Sequence, residues 1–178
     1  MSAQVDYDVL VIGAGSSGSV IAARLSENPN LRVALIEAGP DYANPAATPF
    51  DLINSHNNSY SDHDWGFEYQ PTQHRSDRFP RGRVVGGSSA VNTTIALRGM
   101  PEDYDEWAEV TSDRWSWRSV LPAFKRLERD LDFPDAPYHG DSGPITIRRY
   151  PPAELVPQQQ AFLDTASEIG YPYCADAN

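Results

Sequence analysis

Apolar and polar positions change period several times along the chain, and each change marks an element. Asp6–Gly13 (DYDVLVIG) is a short β-branched run closed by glycine, the pattern of a fully buried parallel strand. Ser16–Asn28 carries small and apolar residues at helical spacing and stops before Pro29, which predicts a helix. Leu31–Gly39 (LRVALIEAG) is a second buried strand closed by glycine, so the three segments make one βαβ unit. From Pro40 to Pro80 no period persists, and Pro, Asn, Ser, Asp and aromatic residues dominate. This stretch reads as a long excursion of loops and short elements over a site.

Regular patterning returns downstream. Pro101 followed by acidic residues has helix-start chemistry, and Ser116–Leu131 predicts a helix interrupted or begun at Pro122. Asp132–His139 reads as loop, Gly143–Tyr150 alternates like a strand, and Pro157–Gly170 is a helix with Pro at its start and Gly past its end. The organisation expected is a βαβ start over residues 1–40, a loop-rich lid over 41–80, a second small-residue segment within 81–112, and the start of another domain over 113–178. The fold class is α/β, yet too few strands are visible to build a doubly wound sheet covered on both faces. The chain therefore reads as the first part of something larger.

Composition narrows the function. The length suits one domain, or one and part of another, with an ordinary globular share of apolar residues. A formal net charge of -11 argues against nucleic-acid binding, because a phosphate backbone would be repelled. No run approaches transmembrane length, and no basic leader precedes the first strand, so a cytoplasmic location is expected. The single cysteine, Cys174, allows neither an internal disulfide nor a thiolate cluster. The sequons at Asn57 and Asn92 are chance matches on this reading.

Two segments carry chemistry. Gly13, Gly15 and Gly18 form a G-x-G-x-x-G that follows a strand and opens a helix. Gly13 permits the tight turn, Gly15 lets the backbone approach a pyrophosphate, and Gly18 lets helix and strand pack closely. The negative charge then meets the N–H groups at a helix start, where Ser16 or Ser17 adds a donor. Glu37 closes the second strand, placed to accept hydrogen bonds from an adenosine ribose, which disfavours a 2'-phosphate and so NADP. This motif specifies an ADP moiety without choosing NAD or FAD. The second segment, Arg81–Gly99 (RGRVVGGSSAVNTTIALRG), decides for FAD. Gly86 and Gly87 remove side chains where a long cofactor would run, and Ser88 and Asn92 offer partners to ribityl hydroxyls. An NAD-dependent dehydrogenase leaves this segment unexplained.

Gly82–Asp105 resembles the first signature of the GMC (glucose–methanol–choline) oxidoreductases, at the Gly–Arg opening, Gly86–Gly87, Ser88–Ser89, Asn92, Ala96, Gly99 and Asp105. The N-terminal βαβ stretch, DWGFEYQPT, and the closing stretch from Gly143 resemble the same family. The resemblance implies a Rossmann-like FAD-binding domain with the start of an α+β substrate-binding domain, incomplete without a C-terminal companion. By this resemblance Gly13, Gly15, Ser17 and Gly18 cradle the pyrophosphate, Glu37 with neighbouring Ala38 holds the adenosine end, and Trp65 lies in the lid. Arg83, Val85 and Gly86 line the channel, while Asn92, Thr93, Thr94 and Ile95 meet the flavin ring. Some relatives attach FAD covalently through a histidine; the matching position here is Val91, so dissociable, non-covalent FAD is expected. The family's catalytic histidine falls beyond residue 178, so no catalytic residue and no metal ligand is expected within the chain. The activity implied is oxidation of an alcohol or aldehyde hydrate, with the C-terminal remainder of the enzyme, possible as a second chain, as partner. A GMC-like lyase or decarboxylase and a non-catalytic FAD-binding fragment are the alternatives.

The remaining candidates have plainer readings. His56, His63, His74 and His139 fall in loops without metal spacing, and the turns at 63–65 and 139–141 read as short and polar. The acidic 101–106 run reads as a solvated helix start. Trp107, Trp115 and Trp117 read as packing residues at a domain seam.

Overall fold

A computed structural model describes residues 6–54 and 61–178. The Asn57 sequon and His56 lie outside the described residues. The chain forms two compact units, one running to Ile95 and the other from Ala96 to Asn178.

In the first unit, β1 (Val9–Ile12), α1 (Ser16–Leu25) and β2 (Val33–Ile36) form the expected βαβ unit, each element shorter than its hydrophobic pattern. β1 and β2 pair in parallel, Val9 opposite Val33 through Ile12 opposite Ile36. Val11 and Ala22 of α1 are buried, whereas Leu10, Ile12, Leu35 and Ile36 are exposed. The lid expectation resolves into short pieces. A 3-10 turn spans Pro45–Ala47 and a single helical turn, α2, spans Phe50–Ile53. β3 (Glu68–Thr72) and β4 (Arg75–Arg78) then form an antiparallel hairpin. α3 (Ser88–Val91) is one further turn, opened at Gly87.

In the second unit, α4 (Pro101–Val110) starts as its sequence predicts. Pro101 occupies the first turn, and the Asp103 carboxylate accepts the Met100 N–H at 2.7 Å. The acidic run is thus a helix start. α5 (Trp117–Leu127) corrects two expectations. It runs unbroken through Pro122, which forgoes only one intrahelical bond, the one to Arg118. It also ends before Leu131, because Glu128–Asp130 turn into a strand, β5, that pairs in parallel with β6 (Ile145–Ile147). The expected 143–150 strand is confined to those three residues. α6 (Pro157–Glu168) carries Pro at its first position and ends before Gly170, whose φ of +94° suits glycine. Trp107, Trp115 and Trp117 join Tyr104, Phe124 and Tyr138 in one aromatic cluster within this unit.

A buried ion-pair network organises the second unit around β5. His139, read from sequence as part of a polar turn, is 2% exposed. Its Nδ1 lies 2.9 Å from Glu128 Oε1 and 3.0 Å from Asp130 Oδ2, and its Nε2 lies 2.6 Å from Asp176 Oδ2. Arg149 bonds both Asp130 and Asp176. Arg98 Nη2 sits 2.6 Å from Glu128 Oε1 as an ion pair, without the alignment of a hydrogen bond. Burial pushes the Glu128, Asp130 and Asp176 carboxyls up. Their partners outweigh it: Arg98, the Gly140 N–H and His139 at Glu128; Arg149 and two backbone N–H groups at Asp130; His139 and Arg149 at Asp176. All three are held below the usual carboxylate range. Glu128, Asp130 and His139 stand close enough to share a cation. The two guanidinium groups already face these carboxylates, so the negative charge that would draw one is largely neutralised.

Candidate functional site

The site is built where the two glycine segments meet, within the first unit. β1 is followed by Gly13, whose φ of +93° a side-chain-bearing residue rarely adopts. Its N–H donates to the Ile36 carbonyl at 2.7 Å, closing the strand pair at its end. Ala14 is fully buried and forms the junction. Its N–H donates to Glu37 Oε2 at 2.6 Å, and its carbonyl accepts the Gly86 N–H at 2.7 Å. Gly15 caps α1 without any side-chain hydrogen bond, so the N–H groups of Ser16, Ser17 and Gly18 have no intrahelical acceptor. Gly18 is where helix and strand touch: a Cβ there would lie 1.9 Å from the Gly13 carbonyl oxygen.

The second segment reaches this turn by backbone contact. A Cβ on Gly87 would stand 2.8 Å from Gly15 Cα, and Gly87 has a φ of +55°. Val84 is buried, the Val85 N–H donates to the Pro40 carbonyl, and the Gly87 N–H donates to the Val84 carbonyl. Gly82 donates its N–H to Ser88 Oγ at 3.1 Å. The structure therefore brings Gly13, Gly15, Ser16, Ser17, Gly18, Gly86, Gly87 and Ser88 together around one turn, with Glu37 bonded beneath it.

Glu37 does local work that the sequence did not suggest. Its two oxygens accept N–H groups from Ala14 and, at 2.8 Å, from Gly39. Burial pushes its carboxyl up, but the N–H groups of Gly39, Ala14 and Ala38 outweigh this and hold it below its usual range. Ala38 thus enters through its backbone. Three N–H groups engage three of the roughly four lone-pair sites of the carboxylate, so acceptor capacity for one ribose hydroxyl remains.

The other sequence-derived residues lie on either side of Gly86–Ser88 in the chain. Arg83, Val85, Asn92, Thr93, Thr94 and Ile95 are exposed, Ile95 at 78%. Thr94 has a φ of +56°, and its N–H donates to Asn92 Oδ1 at 2.8 Å. Trp65 is exposed, stacks on Phe67, and has the Arg83 guanidinium 5.9 Å from its ring centre. Val91 is buried and offers only an aliphatic side chain.

Sequence reasoning missed His63. The turn at 63–65 is not simply polar, because His63 is 4% exposed. Its Nδ1 lies 2.9 Å from Asp51 Oδ2 and its Nε2 lies 2.8 Å from the Tyr42 hydroxyl. No local spacing announces this, since its partners come from 12 and 21 positions away.

A family model described as GMC oxidoreductase matches residues 7–178. Choline oxidase of Arthrobacter globiformis is 40% identical over 94% of this chain, and the alcohol dehydrogenase [acceptor] of Pseudomonas putida is 35% identical over 97%. Each alignment covers 31% of the relative, so the chain spans about a third of the length of the curated proteins it matches. The crystal structure of a pyridoxine 4-oxidase from Mesorbium loti superposes with a TM-score of 0.81 at 34% identity, covering 94% of this chain and 33% of that one. Among the described residues, no helix is long and apolar enough to cross a membrane.

Proposed function

This chain belongs to the GMC oxidoreductase family, and from that premise we propose that it is the FAD-binding N-terminal part of an enzyme that oxidises an alcohol or an aldehyde hydrate. The observation that carries the reading is the contact between two glycine segments at the start of an uncapped helix. Bound FAD would supply hydride acceptance at flavin N5. The chain's own residues bind and orient. The N–H groups of Ser16, Ser17 and Gly18 would hold the pyrophosphate, since the start of a ten-residue helix favours negative charge. Gly15 and Gly87 keep the backbone bare beside it, and Glu37 fixes the turn while accepting from the adenosine ribose. Arg83 and Val85 would line the channel, Asn92–Ile95 would meet the flavin ring, and Trp65 would belong to the lid.

The alcohol proton goes to a histidine outside these residues, on the remainder of the enzyme. That remainder would also cover Leu10, Ile12 and Ile36, which share one exposed face of the strand pair, since a sheet with such a face in water is an unfinished layer. A cytoplasmic setting fits the lone Cys174. FAD is held without a covalent bond, because Val91 has no nucleophilic atom. The test is acid precipitation of the full natural protein purified with its cofactor. FAD is expected in the supernatant with a white pellet. Yellow colour in the pellet would contradict non-covalent binding, and a colourless protein that takes up no added FAD would contradict the cofactor assignment.

A further inference from the structure

The lid excursion is fastened by one buried side chain, that of His63. His63 lies in the short 61–65 strap, which runs antiparallel to Arg81–Arg83. The Trp65 N–H donates to the Arg81 carbonyl at 3.0 Å, Asp64 bridges Gly82, and the Arg83 N–H donates to the His63 carbonyl at 2.7 Å. The Asp64 carboxylate also accepts the Arg81 N–H at 2.7 Å. The strap is therefore the partner strand of the residues that lead into Val84–Gly87.

The other side of His63 is anchored to a different part of the unit. With its Nδ1–H aimed at Asp51, Nε2 is the acceptor for the Tyr42 O–H. The two rings meet edge to face, 5.6 Å apart. Tyr42 follows shortly after Gly39 and Pro40. The Pro40 carbonyl accepts the Val85 N–H, and a Cβ on Gly39 would lie 2.2 Å from the Arg83 carbonyl. His63 thus closes a ring of contacts whose other members are Tyr42, Pro40, Val85 and Arg83. A group with both ring nitrogens and its carbonyl engaged is over-determined for an ordinary turn.

We propose that His63 is a positioning residue for the cofactor: by tying the 61–65 strap to Tyr42 and Asp51, it fixes the backbone of Arg83–Gly87 against the pyrophosphate turn. The inference rests on the FAD reading above. It places His63 outside direct contact with FAD and assigns Asp51 the setting of its tautomer.

The experiment compares His63→Ala, His63→Asn and Tyr42→Phe with the unaltered protein, each as its full natural chain stripped of cofactor. FAD affinity is measured by quenching of flavin fluorescence, and visible circular dichroism reports the seating of bound flavin. His63→Ala is expected to weaken FAD about tenfold and change the dichroism, the scale of one lost buried hydrogen bond. His63→Asn, whose amide can replace Nδ1–H toward Asp51, is expected to recover part of that loss. An affinity for His63→Ala within about twofold of the unaltered protein overturns the proposal, as does a His63→Asn no better than alanine. If His63→Ala does not accumulate folded, Tyr42→Phe carries the test. Loss of one hydroxyl is expected to weaken FAD about threefold, and an unchanged affinity and dichroism overturn the proposal. Unaltered protein that binds no FAD would remove the cofactor reading itself, whereas tight binding that is indifferent to all three variants removes only the role of His63.

Discussion

Gly87→Ala is expected to abolish FAD retention. Two effects act at one atom. A Cβ would stand 2.8 Å from Gly15 Cα, a distance real Cβ atoms essentially never show, and the obstructing atom is backbone that cannot rotate away. The φ of +55° adds strain for any L side chain, about 1 kcal/mol or more. The only relief is to separate the two glycine segments, which breaks the Gly86-to-Ala14 hydrogen bond. We expect affinity to fall by about a hundredfold or more, since displacing a phosphate cradle by an ångström removes several hydrogen bonds together. Gly66→Ala is the control. Gly66 also has a positive φ, +70°, but a Cβ there meets nothing within 4 Å. It should lose about 1 kcal/mol of stability and keep its flavin. Fluorescence titration of both variants decides. Equal retention by Gly87→Ala would mean that the close approach of the two segments does not shape the site.

The second large effect is on stability. Asp130→Ala removes a carboxylate that is 1% exposed and leaves Arg149 and His139 facing a void. Breaking a buried pair from one side costs about 3 kcal/mol or more, because the remaining charge stays desolvated. Urea unfolding of the variant should show a lower midpoint with little change of slope; a loss under about 0.5 kcal/mol would show that the network is dispensable. The same groups set the response to acid. Glu128, Asp130 and Asp176 are each lowered by folding, so their contribution is present above their ordinary unfolded pKa values and is lost as pH falls through the folded ones. Unfolding should therefore set in below the usual carboxylate range, and Asp130→Ala should flatten that dependence.

These two predictions divide along what the sequence made readable. The two glycine motifs were each legible because their information is local; their contact across the first unit was not. Gly13, Gly15 and Gly18 follow a β-branched run and open a helical one, and Gly86–Gly87 interrupt an apolar stretch. The buried network was not legible. Glu128–Arg129–Asp130 is wholly charged, and periodicity assigns such a run to a solvated helix end. It becomes a strand only because Arg98, His139, Arg149 and Asp176, scattered along the second unit, converge on it. His63 escaped for the same reason. What marks a buried histidine is its partners, and Tyr42 and Asp51 sit in a stretch with no period to place them. Pro122 misled in the opposite direction, as a local rule weaker than the packing of α5.

The bond between Gly86 and Ala14 also says something about when the site forms. It joins the opening turn of the first unit to a segment near that unit's end. The βαβ unit and the β3–β4 hairpin need only nearby residues, whereas this contact must first close the long span between them. Protection of the Gly86 amide in pulsed hydrogen exchange should therefore lag behind that of β2; simultaneous protection would argue for a single concerted step. A cradle completed last is one whose final closure a bound cofactor can favour by mass action. If FAD binds there as proposed, adding it during refolding should raise the yield of folded protein, so that the cofactor would act as a folding partner as well as a ligand.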